Sequence, residues 1–349
     1  MIKRFITTCQ AVYKSRIMST VKIGTHNGAF HCDEVLACSM LKLLPEYKDA
    51  TIIRTRNPEL LNTCDIVVDV GGVFDPSTHR YDHHQKTFSD SMATLKKGKW
   101  VTKLSSAGLV YAHFGEKIIS QIVGTKDEAL VKRIYDKVYE KFMEEIDAVD
   151  NGIATHDGTP RYHVTTTLSS RVANLRPAWN DTTQDFDAGF YKAMSLVGAE
   201  FVDCISFYSN VWWPARSLVA DALEKRFEVW EGGKIISLDN GGCPWKEHIF
   251  ELEKEQNIEG EILFCLFEDD TNTPWGVAAV PEEDQSFVSR MKLKEDWCAL
   301  RDQELSHKAE IEGCVFVHAA GFIGGNKTKE GALQMAIKTI QANEMTNGV

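Results

Sequence analysis

Between a β-branched run, Val21 to Thr25, and an apolar helical run, Val35 to Leu41, the chain reads HNGAFHCDE from His26 to Glu34. A short buried strand running through such a turn into a helix is the opening move of an open α/β sheet. Ligands of that architecture bind outside the carboxyl ends of the strands. Two imidazoles and two carboxylates therefore fall where a ligand would sit. Neutral imidazole and carboxylate are usual donors to a divalent metal.

Further strands are expected at Thr51–Thr55 and at Asp65–Val70, the second a continuous apolar run stopped by Gly71-Gly72. A run without alternation is the pattern of a strand buried on both faces. Apolar residues at Ile134, Val138, Phe142 and Ile146 predict a long amphipathic helix over 127–149. A loop around Arg176 to Thr183 marks a boundary. Beyond it lie a helical stretch from Phe186 to about Phe227, then strands at 234–238, 261–267, 275–280 and 314–318, and a closing helix from Lys329. The expected fold is α/β: a doubly wound, mostly parallel sheet over 21–185, with a helical linker and a second, smaller α+β domain over 186–349.

The 349 residues carry a net charge of −11, which argues against holding nucleic acid by general electrostatics. It leaves open a phosphate held through cations, since bound metal inverts the local field. Nine cysteines without CxxC spacing read as reduced thiols. No apolar run is long enough for a bilayer. Residues 1–20 differ from the rest, with Lys3, Arg4, Lys14 and Arg16 and no acid before Asp33. That composition is expected of a mitochondrial targeting segment, with Met18 as a second start giving a nuclear or cytosolic form.

Four acid and histidine clusters end predicted elements in the first half: His26/His31/Asp33, Asp69, Asp82-His83-His84, and Asp150. Each has an ordinary reading taken singly. Asp69 could cap the turn before Gly71, His31 could be a satisfied core histidine, and Asp150 could precede an Asn-Gly turn. An acid ending a buried apolar strand is costly unless paired or metal-bound, and the coincidence of all four favours a metal site. In the second half, His318, Gly324, Gly325, Asn326 and Lys327 are expected in a glycine-rich loop that lets backbone N–H groups approach an anion. Arg290 is a further candidate for phosphate. Arg171, Arg176 and the Lys96, Lys97, Lys99, Lys103 cluster are each balanced between substrate contact and surface roles.

The ordered blocks GTHNGAFHCDE, VVDVGG, YDHHQ, AVDNGI and HAAGFIGGNKTKEGAL resemble the DHH phosphoesterase superfamily. The resemblance is closest to its melanocyte-proliferating-gene branch, DHH-like 3′-to-5′ RNA exonucleases of mitochondria and nucleus. It implies one metal on His26, His31 and Asp69, and a second on Asp33, Asp69, His83 and Asp150, with Asp69 shared. It further implies that His84 contacts the scissile phosphate and that Asp82 orients the histidine pair. The cofactor implied is Mn²⁺, two per chain, with Mg²⁺ as the alternative. The implied chemistry is attack by a metal-activated bridging water on single-stranded RNA, releasing nucleoside monophosphates. One departure stands out: many members carry Asp where His31 stands. A small phosphoester or pyrophosphate substrate, or a metal-binding regulatory protein without catalysis, are the alternatives. Oligomeric state has no signature in the sequence.

Overall fold

The protein was analysed as a computed structural model, which describes residues 21–239, 241–268, 274–284 and 286–347. The leader reading of residues 1–20, with Met18, lies outside the described residues. The chain divides into two compact units, Met1–Ile205 and Ser206–Val349. The helix Phe186–Phe207 thus counts almost wholly with the first unit rather than opening the second. Its buried face explains this: Phe190, Ala193, Val197 and Phe201 are sealed, Phe190 meets Phe30 edge-to-face, and Ser39 Oγ donates to Met194 O. The loop around Arg176 to Thr183, expected as a boundary, therefore lies inside the first unit.

The first unit is built on strands β1 (Lys22–Thr25), β2 (Thr51–Arg54), β3 (Ile66–Val68), β4 (Phe74–Asp75) and β5 (Arg80–Tyr81). Their order is β2-β1-β3-β5-β4, parallel except for the β4–β5 pair. The three apolar strands expected from the sequence are present. The β4–β5 hairpin was not anticipated, because two-residue strands have no period to read. It turns on Pro76–Thr78, where Asp75 accepts from Ser77 N, and on His79 in the left-handed region at φ 54°.

The Cys32–Lys42 helix is buried from Cys32 to Leu41. A helix buried on every face is an interior helix, and it packs against the Ser106–Val123 helix. The predicted helix over 127–149 runs from Glu128 to Asp150 but contains a π-helical turn at Tyr139–Met143. A π turn holds one residue more than an α turn and rotates everything after it. Among the described residues no helix is long and apolar enough to cross a membrane.

The second unit carries β6 (Ile235–Leu238), β7 (Phe264–Glu268), β8 (Trp275–Ala279), β9 (Cys314–Val317) and β10 (Ile323–Asn326), in the order β6-β7-β8-β10-β9. Only β6–β7 is parallel; the other pairs are antiparallel. Alternate side chains enter separate cores: Ile235, Phe264, Leu266 and Val277 face one, Ile236, Leu238, Cys265 and Ala278 the other. That is the two-residue period of a strand covered on both faces.

This sheet corrects the expected anion loop. Gly324, Gly325 and Asn326 belong to β10, a central strand whose backbone pairs with β8 on one side and β9 on the other. Glycine is required at Gly324 by packing, since a Cβ there would lie 2.9 Å from Leu293 Cδ1 and 3.0 Å from Phe316 O. Asn326 is fully buried; its Nδ2 donates to Glu312 O and its Oδ1 accepts from Thr328 N. His318 and Lys327 are exposed but flank opposite ends of β10, roughly 10 Å apart or more at ~3.3 Å per residue. Arg290 is committed too: its fork meets both Glu253 oxygens at 2.7 Å, and Glu253 is 1% exposed. A buried carboxylate needs such a partner, which leaves the guanidinium no free face for a phosphate.

Candidate metal centre

The polar turn after β1 places His26 at the sheet's carboxyl edge, with its Nδ1 on Asn27 O at 3.3 Å. The other ring nitrogen, Nε2, then points inward, 3.2 Å from Glu34 Oε1 and 3.4 Å from Asp69 Oδ2. Glu34 also accepts from His31 N at 3.0 Å, closing a capping box on the Cys32–Lys42 helix. Glu34 was not among the expected donors. Its signal was the glutamate three residues after a helix start, normally read as a cap alone.

Asp69 ends β3 with φ 56°, a left-handed conformation uncommon outside glycine. Its N–H donates to Tyr81 O, so pairing of β5 beside β3 delivers Asp82-His83-His84 to it. His83 Nε2 lies 3.1 Å from Asp150 Oδ2, 3.5 Å from Asp69 Oδ1 and 3.7 Å from Asp33 Oδ2. Asp82 accepts from Gly72 N at 2.6 Å, His84 N at 3.1 Å and His84 Nδ1 at 2.7 Å. It ties the glycine turn after β3 to the histidine pair. The His84 side chain is 62% exposed and lines the cleft.

The N-terminus of the Ser106–Val123 helix grips two of these acids. Ser106 N donates to Asp33 Oδ2 at 3.0 Å, Ala107 N donates to Asp33 Oδ1, and Ser106 Oγ donates to Asp69 Oδ1 at 3.1 Å. First-turn amides with no partner inside the helix and the helix dipole both favour anions there. A third acid lies behind them. Asp147 is wholly buried and accepts from Ser105 N at 2.9 Å, Ser105 Oγ at 2.8 Å and Tyr139 Oη at 2.8 Å. The π turn brings Tyr139 back onto Asp147. Neither Asp147 nor Ser106 was singled out from the sequence; a buried acid on a helix and paired serines before one carry no distinctive spacing.

Three donor sets result, in each of which the atoms lie within 4.8 Å of one another: His26/His31/Glu34, Asp69/His83/His84 and Asp33/His83/Asp150. All the expected donors of the first half are brought together. They line one cleft of about 930 Å³ with Gly71, Gly72, Arg56 and Arg176. A specific observation shows that the donors fit a cation. Both His83 ring nitrogens are buried and make no hydrogen bond, although Nε2 faces three carboxylates. Donors ~2.1 Å from one octahedral ion stand roughly 3 Å apart, close to the spacing seen here.

Burial alone would push the His26 and His83 imidazoles down, yet the carboxylates around them outweigh it. Asp69 and Glu34 raise His26 to about 10, and Asp150 and Asp69 with Asp33 raise His83 to about 10. Burial opposes ionisation of Asp69, but the two imidazoles hold its carboxyl well below the usual range. Burial and the charges of Asp69 and Asp150 push Asp33 up. A pH dependence follows. Histidines raised from 6.5 to about 10 stabilise the chelated protein fully below 6.5, and that contribution is lost as pH climbs through 10. Thermal melts in a chelator should therefore fall over that window. With manganese present the trend should reverse, because binding needs the imidazoles deprotonated. Parallel melting curves in both conditions would contradict this electrostatic account.

Comparison with known proteins adds the lineage. Residues 22–340 match the family described as "Uncharacterised protein family (UPF0160)", MYG1_exonuc. The chain is 56% identical over 330 residues to the "MYG1 exonuclease" of Bos taurus, covering 94% of this chain and 86% of that protein. It is 54% identical over 330 residues to the "MYG1 exonuclease" of Homo sapiens, covering 94% and 88%. The "MYG1 protein" of Dictyostelium discoideum is 46% identical over 333 residues, covering 94% and 99%. No solved structure matches the chain. Such identity along almost the whole length shows that the chain belongs to the MYG1 family.

Proposed function

We propose that this protein is a divalent-metal-dependent phosphodiesterase, an exonuclease that removes nucleoside monophosphates from the 3′ end of single-stranded RNA. The observation that carries the reading is His83, buried without a hydrogen bond on either nitrogen and ringed by Asp33, Asp69 and Asp150. The word exonuclease in the names of the bovine and human relatives supports the same chemistry. His26, His31 and Asp69, joined by Glu34, would hold one cation. Asp33, Asp69, His83 and Asp150 would hold the other, with Asp69 in common. Mixed imidazole and carboxylate donors suit Mn²⁺ ahead of Mg²⁺.

Two such ions, when bound, lower the pKa of water and polarise phosphoryl oxygens. The protein's own groups do the rest. Asp82 accepts from His84 Nδ1 and so sets the orientation of the ring, which lines the cleft where it would contact a phosphate oxygen. Ser106 and Ala107 hold Asp33 in place, and Ser106 does the same for Asp69. Such outer hydrogen bonds fix ligand orientation.

The test is elemental analysis with a substrate panel. Two manganese per chain are expected, both lost in His83→Ala, with mononucleotide release from a 5′-labelled RNA shortening from its 3′ end. Cleavage of pyrophosphate with no attack on RNA would overturn the nuclease reading. Full metal content in His83→Ala would overturn the centre.

A further inference from the structure

Several cations of the first unit are committed to carboxylates. Arg54 pairs with Asp187, Arg171 with Glu200, Lys96 with Glu116 and Lys99 with Glu140. Arg56, Lys86, Lys103 and Arg176 line the cleft, and among the described residues none of the four pairs with a carboxylate. Arg176 is held by its Nε on Phe30 O at 2.6 Å and rests over the Phe30 ring, leaving its terminal nitrogens uncommitted. Lys103 lies over Phe88. Arg56 and Lys86 are exposed. In a chain of net charge −11, four unpaired cations around one acid-floored cleft are not a compositional accident of a basic surface.

Three residues past Arg176 stands Trp179, 93% exposed. Its loop is pinned. Ala178 N donates to Asp181 Oδ2 at 2.8 Å, and Gln184 Nε2 donates to Ala178 O and Asp181 O at 2.8 and 3.0 Å. A hydrogen-bonded loop thus carries a large aromatic ring in solvent, where it has no packing role. Cations that track a phosphate backbone beside an aromatic face for bases are the usual elements of a single-strand site. Base stacking on such a ring needs an unpaired base. The cleft, about 930 Å³, sits near the top of the roughly 300–1,000 Å³ range of small-molecule pockets, more room than a pyrophosphate fills.

We propose that the cleft rim and the loop that follows Arg176 form a track for single-stranded nucleic acid, with Arg56, Lys86, Lys103 and Arg176 taking phosphates beyond the scissile one and Trp179 stacking on a base. The proposal rests on the phosphodiesterase reading and adds the residues that select a strand over a small phosphoester.

The probe is a fluorescent 12-nucleotide RNA with phosphorothioate linkages, which keep the charge and resist hydrolysis, bound to the full chain and followed by anisotropy across salt concentrations. Four phosphate contacts should give a log–log salt slope of about −3, at about −0.7 per contact. Arg56→Ala with Lys86→Ala, two exposed positions whose loss leaves the fold intact, should make it shallower by about 1.4. Trp179→Ala should weaken binding about tenfold at fixed salt without moving the slope. An unchanged slope in the double variant, or full affinity in Trp179→Ala, would overturn the track. Manganese-dependent hydrolysis of bis(p-nitrophenyl) phosphate by the unaltered protein reads the metal centre separately. Hydrolysis without strand binding defeats this inference alone, and strand binding without hydrolysis defeats the phosphodiesterase reading alone.

Discussion

Replacing Asp69 by Asn is expected to lower phosphodiester hydrolysis about 1,000-fold, the scale of losing several kcal/mol of metal-borne charge stabilisation, and to strip both metals. This one carboxylate meets two imidazoles with different oxygens, Oδ2 at 3.4 Å from His26 and Oδ1 at 3.5 Å from His83. Among the described residues no other acid meets both, since Glu34 reaches His26 alone and Asp33 and Asp150 reach His83 alone. Asn keeps the volume and tolerates the left-handed backbone that residue 69 adopts at φ 56°, so the variant should fold. Elemental analysis and kcat/KM measured together are the check. Metal content near that of the parent, with activity within tenfold, would mean that Asp69 joins nothing.

Gly108→Ala should destabilise the first unit by about 3 kcal/mol, the lower end for uncoupling a buried charge from its partners. This reverses the usual sign, since Ala inside a helix normally stabilises relative to Gly by about 0.5–1 kcal/mol. A Cβ at this position would lie only 2.3 Å from Asp147 Oδ1 and 2.6 Å from Oδ2. The Asp147 carboxylate would have to leave Ser105 and Tyr139 with no water to replace them. Burial already pushes Asp147 up to about 7, against the hydrogen bonds from Ser105 and Tyr139 that pull it down. Displacement would also tilt the turn through which Ser106 and Ala107 hold Asp33. A melting-temperature drop of about 6–12 °C in the first unit is expected. An unchanged or higher melting temperature would show that Asp147 moves aside freely.

Much of the centre was legible in order along the chain. Asp69 declared itself as an acid ending a wholly apolar strand, and Asp82-His83-His84 as a run with no packing use. The second unit was less legible. Gly324 and Gly325 in a segment also containing His318 and Lys327 matched an anion loop by composition. Glycines demanded by close packing in a central strand look the same in one dimension. Arg290 failed as a substrate residue for a related reason: its partner Glu253 lies 37 residues away, and no local pattern announces the pair.

The sequence by itself determined which donors exist and that most of them flank a strand or a helix, because apolar runs, turn glycines and helix starts are set by neighbours a few positions away. Tertiary structure decided which donors meet. A two-residue strand without periodicity carries His83 to Asp69, a helix end that reads as an ordinary start clasps Asp33, and a π turn sets Tyr139 against Asp147. The first two depend on hydrogen bonds between residues distant in the chain and the third on a local change of helical pitch, and none of these leaves a periodic trace in the order of residues.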